Sequence, residues 1–268
     1  MTVGRRFLLD RRRSFVWWAL GMAAMVAFTV SLWPSIRDQP QIEELIEELP
    51  EGLKALFGSG EGIPFSSAPG YLHSRLFSAL FPLLLLIFGI GLGARAIGGS
   101  EEDGTLELVL AHPVTRARVA AERYAALVLL VAGLTVAGLV VLVVSAPVVD
   151  LLEGVPVGRV AVAGVAVFGL ALLHASLAFA LGCALGRRGP ALGIASAVAV
   201  ASYLLQSLIA MTDVLDVARF FSPWHWYLDR NLLAQDATLA ATLLPLVLAV
   251  GVALLGGSLF LRRDLRIP

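Results

Sequence analysis

Six apolar runs divide this chain, and short polar stretches join them. They fall at about residues 15–33, 76–94, 125–145, 160–185, 191–210 and 239–261. In lipid, a run of this length satisfies its backbone only as a helix, so each predicts a transmembrane span. The expected fold is an all-α membrane protein of six spans, one domain over residues 1–268. Residues 1–14 set Arg5, Arg6, Arg11, Arg12 and Arg13 around Phe7, Leu8 and Leu9. That pattern predicts a short interfacial helix leading into the first span. The run behind it is too long for a signal-peptide core, and no A-x-A-like site follows. Trp17 and Trp18 at one boundary and Trp33 at the other read as an aromatic belt.

Between the first two runs, residues 34–73 form a polar outer loop. Ile42, Leu45, Ile46 and Leu49 recur at helical spacing opposite glutamates, which predicts an amphipathic helix. It is either a lid or a helix lying on the membrane surface. Pro82 inside the second run removes a backbone hydrogen bond and predicts a kink. Gly89, Gly91 and Gly93, and separately Gly182 with Gly186, mark faces where another helix approaches closely. The glycines of the second span are expected to pair one copy of the chain with another.

Composition sharpens the class. Hydrophobic residues make up 58% of the chain and charged ones 15%, with a mean hydropathy of +0.85, unlike a soluble domain. The net charge of zero carries no signal for nucleic acid. The single cysteine, Cys183, excludes an internal disulfide and a cysteine metal cluster. No other grouping of His, Asp and Glu has metal-ligand spacing. The only lysine, Lys54, follows a leucine, so there is no Gly-Lys-Ser/Thr phosphate loop. Of the 20 Lys and Arg, 14 fall at one end if the chain crosses six times, which places both termini in the cytoplasm.

The stretch 95–123 is a polar island between the second and third runs. Ser100-Glu101-Glu102-Asp103 fits an N-terminal capping box, and its acids suit a helix N-terminus. Leu106, Val109 and Leu110 then form an apolar stripe with Glu107 off it. His112-Pro113 ends that helix, and Thr115 caps the next, which carries Arg116, Arg118 and Arg123 into the third span. A solvated loop has no use for such a stripe. The island is therefore expected to meet another protein.

Here the chain resembles a family. E-E-D-G-T-L-E-L-V-L-A-H-P-V-T-R, residues 101–116, is similar to the segment after the second span in type-2 ABC exporter permeases. Ser222-Pro223-Trp224-His225-Trp226-Tyr227 resembles their Ser-Pro and aromatic segment before the last span. The resemblance implies a permease subunit at the plasma membrane, without catalytic residues, cofactor or metal of its own. ATP and Mg would be bound by a separate ATPase subunit, and a second permease subunit would complete a homodimer or heterodimer. It implies that the island is a coupling helix, with Glu101, Glu102, Thr105, Leu106, Glu107, Val109, Leu110 and Arg116 at the ATPase interface. Ser222, Pro223, Trp224 and Tyr227 would form a re-entrant outer segment. The cargo would be a hydrophobic or amphipathic drug, lipid or peptide. His225 between two tryptophans and the long acidic first loop depart from the simplest pattern.

Three polar residues inside spans stand apart. His174 in the fourth, and Ser202 and Gln206 in the fifth, either line a substrate path or bond to neighbouring helices. Two other classes compete. A rhomboid-like intramembrane hydrolase needs a serine in a G-x-S-G setting, and Gly193-Ile194-Ala195-Ser196 does not supply it. A secondary transporter wants charges within its spans, and His174 is the only ionisable candidate.

Overall fold

The computed structural model describes residues 3–37, 64, 66–209, 219, 221–228 and 230–265. Among these, every regular element is helical. In chain order they are α1 (Val3–Ser31), α2 (Ala68–Glu102), α3 (Thr105–Leu110), α4 (Arg116–Ser145), α5 (Val157–Leu185), α6 (Arg188–Ile209), α7 (Pro223–Leu228) and α8 (Leu239–Arg262). All but α3 and α7 are long and apolar enough to cross a membrane, which gives the six expected spans. The expected amphipathic helix around Ile42–Leu49 lies outside the described residues.

The N-terminal interfacial helix is not a separate element. No glycine or proline interrupts residues 5–20, arginine and leucine favour helix, and α1 runs unbroken from Val3. Its first turns lie against the start of α4. The Gly4 amide donates to the Glu122 carboxylate at 2.8 Å, and Arg123 sits over the Phe7 ring. Trp33 is buried against Tyr71, with ring centroids 5.2 Å apart, so only Trp17 is fully displayed at the surface as a belt residue would be.

α5 is the axis of the bundle. α2 and α8 pack along it most extensively, α4 and α6 also touch it, and α1 lies outside against α4. Small residues explain this arrangement. Without water to drive apolar faces together, helices in lipid gain mainly from close packing, which glycine and alanine permit. A side chain on Gly93 would strike the Ala175 carbonyl oxygen, and one on Gly256 would strike the Ala180 backbone. Gly89 likewise faces Ala175. Gly89 and Gly93 thus seal α2 to α5 within one chain and are not free to pair two copies. Gly91 points away into open space.

Pro82 is accommodated by a change of helix type. The backbone is π-helical over Leu72–Leu80, and the Phe81 amide reaches back to the Leu76 carbonyl. The wider turn ahead of the proline absorbs its missing donor. A second π-helical stretch, Arg95–Gly99, carries α2 out of the apolar zone.

Candidate functional site

The polar island begins as a continuation of α2. Ser100 follows Gly99 in ordinary helical backbone and makes no capping bond, so the capping box is not formed. The reason is that the preceding span never stops: π-helical turns deliver Ser100 and Glu101 already inside a helix. Asp103 ends α2 instead, and Gly104 turns the chain with φ +67°, a left-handed value that glycine adopts without strain. The Thr105 hydroxyl then donates to the Ser100 carbonyl at 3.0 Å and fixes the start of α3. Thr115 caps α4 as expected, accepting from the Arg118 amide at 3.3 Å.

α3 has two unlike faces. Leu106 is fully buried, and Val109 and Leu110 are half-buried against the same core. The apolar stripe exists, but this chain covers it, because six residues anchored at Gly104 fold back on the ends of the spans. Leu106 is therefore not available to a partner. Glu107 faces out, and so does Leu108, which is 69% exposed.

Glu101 is also internal, at 4% exposed. Arg263, just beyond α8, grips it with both terminal nitrogens; Nη1 donates to Oε1 at 2.6 Å and Nη2 donates to Oε2. The fork geometry of guanidinium suits a carboxylate, and both oxygens are used. Arg263 Nε donates to the Cys183 carbonyl of α5 at 2.6 Å, and Arg116 of α4 donates to the Arg263 carbonyl at 2.8 Å. Arg116 and Arg263 both lie over the Phe260 ring. Gly186 leaves the room for this assembly: it has φ +64°, and a Cβ there would sit 2.7 Å from Glu101 Oε1. One buried acid thus ties α2, α4, α5 and α8 together. The Glu102 carboxylate accepts from the Arg188 amide at 3.0 Å and so holds the start of α6. Arg123, buried, donates to the Ala96 carbonyl at 2.5 Å. Of the eight interface candidates, Glu101, Glu102, Leu106 and Arg116 are occupied within the chain, Val109 and Leu110 partly so, and Thr105 and Glu107 face outward. Nothing local in the sequence names the partner of Arg263.

The path candidates are dispersed. His174 is buried, and its ring nitrogen bonds the Leu170 carbonyl one turn back, at 2.9 Å. The Ser202 hydroxyl donates to the Ala199 carbonyl at 3.0 Å. Gln206 is half-buried, and its side-chain oxygen has no hydrogen-bond partner among the described residues. No hydrogen bond joins His174 to either of the other two. At the opposite end from the island, Ser222 caps α7 by accepting from the His225 amide at 3.3 Å. Pro223 opens that helix. Trp224 is buried edge-on against Tyr203, at 4.8 Å between centroids. The Tyr227 hydroxyl donates to the Phe77 carbonyl of α2 at 2.6 Å, and Asn231 donates to the Pro69 carbonyl at 3.2 Å. These contacts plug α7 into the far end of the bundle.

Six apolar helices, an internally pinned polar island and an aromatic plug agree with a sequence match to the ABC-2 family transporter proteins that spans residues 8–265. The chain belongs to that family. It is a multi-pass membrane protein and the permease part of an ABC transport system, a class that usually works with an ATPase subunit. No curated protein is similar enough to this chain to count as a relative. Membership sets aside the hydrolase and secondary-transporter readings.

Proposed function

We propose that this permease exports a hydrophobic or amphipathic substrate, such as a drug, lipid or peptide, and draws its energy from a separate ATPase that binds ATP and Mg. It lies in the plasma membrane with the island and both termini in the cytoplasm and the α7 segment re-entrant at the outer face. The 14-to-six basic asymmetry supports that orientation, and the contacts of Glu101 with Arg263 and of Glu102 with Arg188 bring two of those arginines to the island. A second permease subunit, the same or similar, completes the transporter and covers α6.

The observation that carries this reading is α3. It is a six-residue helix clamped by buried Leu106 that presents Leu108 and Glu107 outward. A rigidly backed, exposed leucine is what a transmitting contact needs: burying it in a partner groove is worth about 1.5–3 kcal/mol. Surface charges such as Glu107 add about 0–1 kcal/mol each and set register. The test compares two aspartates in vesicles with the partner ATPase. Leu108→Asp leaves the permease folded, loses the ATPase on purification and uncouples ATP hydrolysis from transport. Leu106→Asp puts a charge into the core and lowers the thermal midpoint of the permease itself. If Leu108→Asp retains the ATPase and wild-type transport per ATP, α3 is not the coupling element.

A further inference from the structure

Beside the island, where α1, α2 and α6 meet, lies a polar cleft of about 730 Å³. Arg11 of α1, Arg95 of α2 and Arg188 of α6 line it, together with Glu102, Asp103 and Leu192. Arg95 and Arg188 converge at Gly99, where an added Cβ would lie 3.4 Å from Arg95 Cγ and 3.8 Å from Arg188 Cβ. None of the three guanidinium groups makes an ion pair among the described residues; Arg11 only stacks on Phe7. Glu102 is already engaged by the Arg188 backbone amide. The cleft lining sets these three half-buried cations against the carboxylates of Glu102 and Asp103, an excess of one positive charge that an anion offsets. Guanidinium forks suit phosphate in particular.

The cleft does not end at its polar wall. Leu192 also lines an apolar groove along the seam between α2 and α6. Leu83, Ile87 and Gly91 form one side, Val200 and Tyr203 the other, and Trp224 closes the far end. Helix rise puts Tyr203 about 16 Å beyond Leu192. The open space in front of Gly91 deepens the groove midway. A basic cleft continuous with an apolar trough has the polarity of one molecule class.

We propose that this site holds an anionic phospholipid, with its phosphate on Arg11, Arg95 and Arg188 and one acyl chain in the α2–α6 seam. With the orientation proposed above, the lipid comes from the inner leaflet. Lipid selectivity itself does not depend on that orientation.

The probe is the purified full chain in micelles containing equal amounts of phosphatidylglycerol and phosphatidylcholine, read by native mass spectrometry of retained lipid. The wild type keeps phosphatidylglycerol preferentially. Arg11→Gln, Arg95→Gln and Arg188→Gln each reduce the preference about fivefold, and the triple variant abolishes it. The corresponding lysine variants keep most of it, and Arg262→Gln, at the same end but outside the cleft, keeps all of it. Gly91→Phe fills the groove, so it loses long-chain phosphatidylglycerol but still retains the dihexanoyl form. Thermal midpoints verify that each variant is folded. Equal retention by wild type and triple variant overturns the proposal. Binding of millimolar inorganic phosphate with no preference between the lipids assigns the cleft to a soluble anion and overturns the lipid. A triple variant that loses the partner ATPase yet keeps lipid preference makes the cleft a protein contact, which also overturns it. Exposure of the termini on the outer side, with lipid preference intact, would reverse the topology and leave this site standing.

Discussion

α5 and α6 are consecutive spans joined by a two-residue turn, yet they live in different surroundings. In their most apolar windows α5 is 67% buried by the rest of the chain and α6 is 11% buried. α5 achieves this with small residues on opposite sides: Ala171 and Ala175 on one, and Ala166, Gly169 and Ser176 on the other, are all buried. α6 buries only Ala191, Ala195 and Ala199, one narrow stripe. Polar and aromatic contacts fix its ends, by Glu102 on the Arg188 amide and by Trp224 and Ser222 against Tyr203 and Ser202. One span is structural axis; the other is a pinned strut whose broad face the described residues leave uncovered. Apolar composition alone does not distinguish them. The distribution of small residues around the helix does.

The sharpest way to break this contrast is to place the same residue on each side of it. Gly93→Leu drives a side chain into the α5 backbone and costs about 3 kcal/mol or more, so little folded protein survives solubilisation. Gly193→Leu on α6 meets nothing within 4 Å among the described residues, and stability stays within about 0.5 kcal/mol of wild type, read as a nearly unchanged thermal midpoint. If α6 faces the second subunit, cross-linking between copies falls in Gly193→Leu alone. Next in size is the pin at the island end. Glu101→Gln leaves the Arg263 guanidinium without its counter-charge and destabilises by about 3 kcal/mol, read as a drop in thermal midpoint. A smaller loss is expected at the opposite end, where Tyr227→Phe removes one hydrogen bond to Phe77 and costs about 1 kcal/mol in the same assay.

Spans, island and the Thr115 cap were legible because each rests on local pattern: run length, charge and a capping residue at the right spacing. The glycines of α2 were legible as close-packing sites, but a small residue states only that something approaches, and here α5 does. The stripe of Leu106, Val109 and Leu110 was likewise legible as buried while its cover was misassigned. Leu108, exposed on α3, falls outside the stripe, so periodicity gives it no signal. Ser100 failed as a cap because the span continued through it, which depends on π-helical turns that sequence spacing does not reveal. The pairing of Glu101 with Arg263 joins residues 162 apart, and no periodicity reaches that far.

That separation has a consequence in time. A ribosome adding roughly 5–20 residues per second needs on the order of 10–30 s to travel from Glu101 to Arg263. Throughout that interval the acid that will tie four helices together exists without its arginine. α8 is the final span of this sequence to be synthesised, so its arrival completes the joint. A nascent chain halted before Arg263 therefore lacks the guanidinium that both Glu101 oxygens accept from.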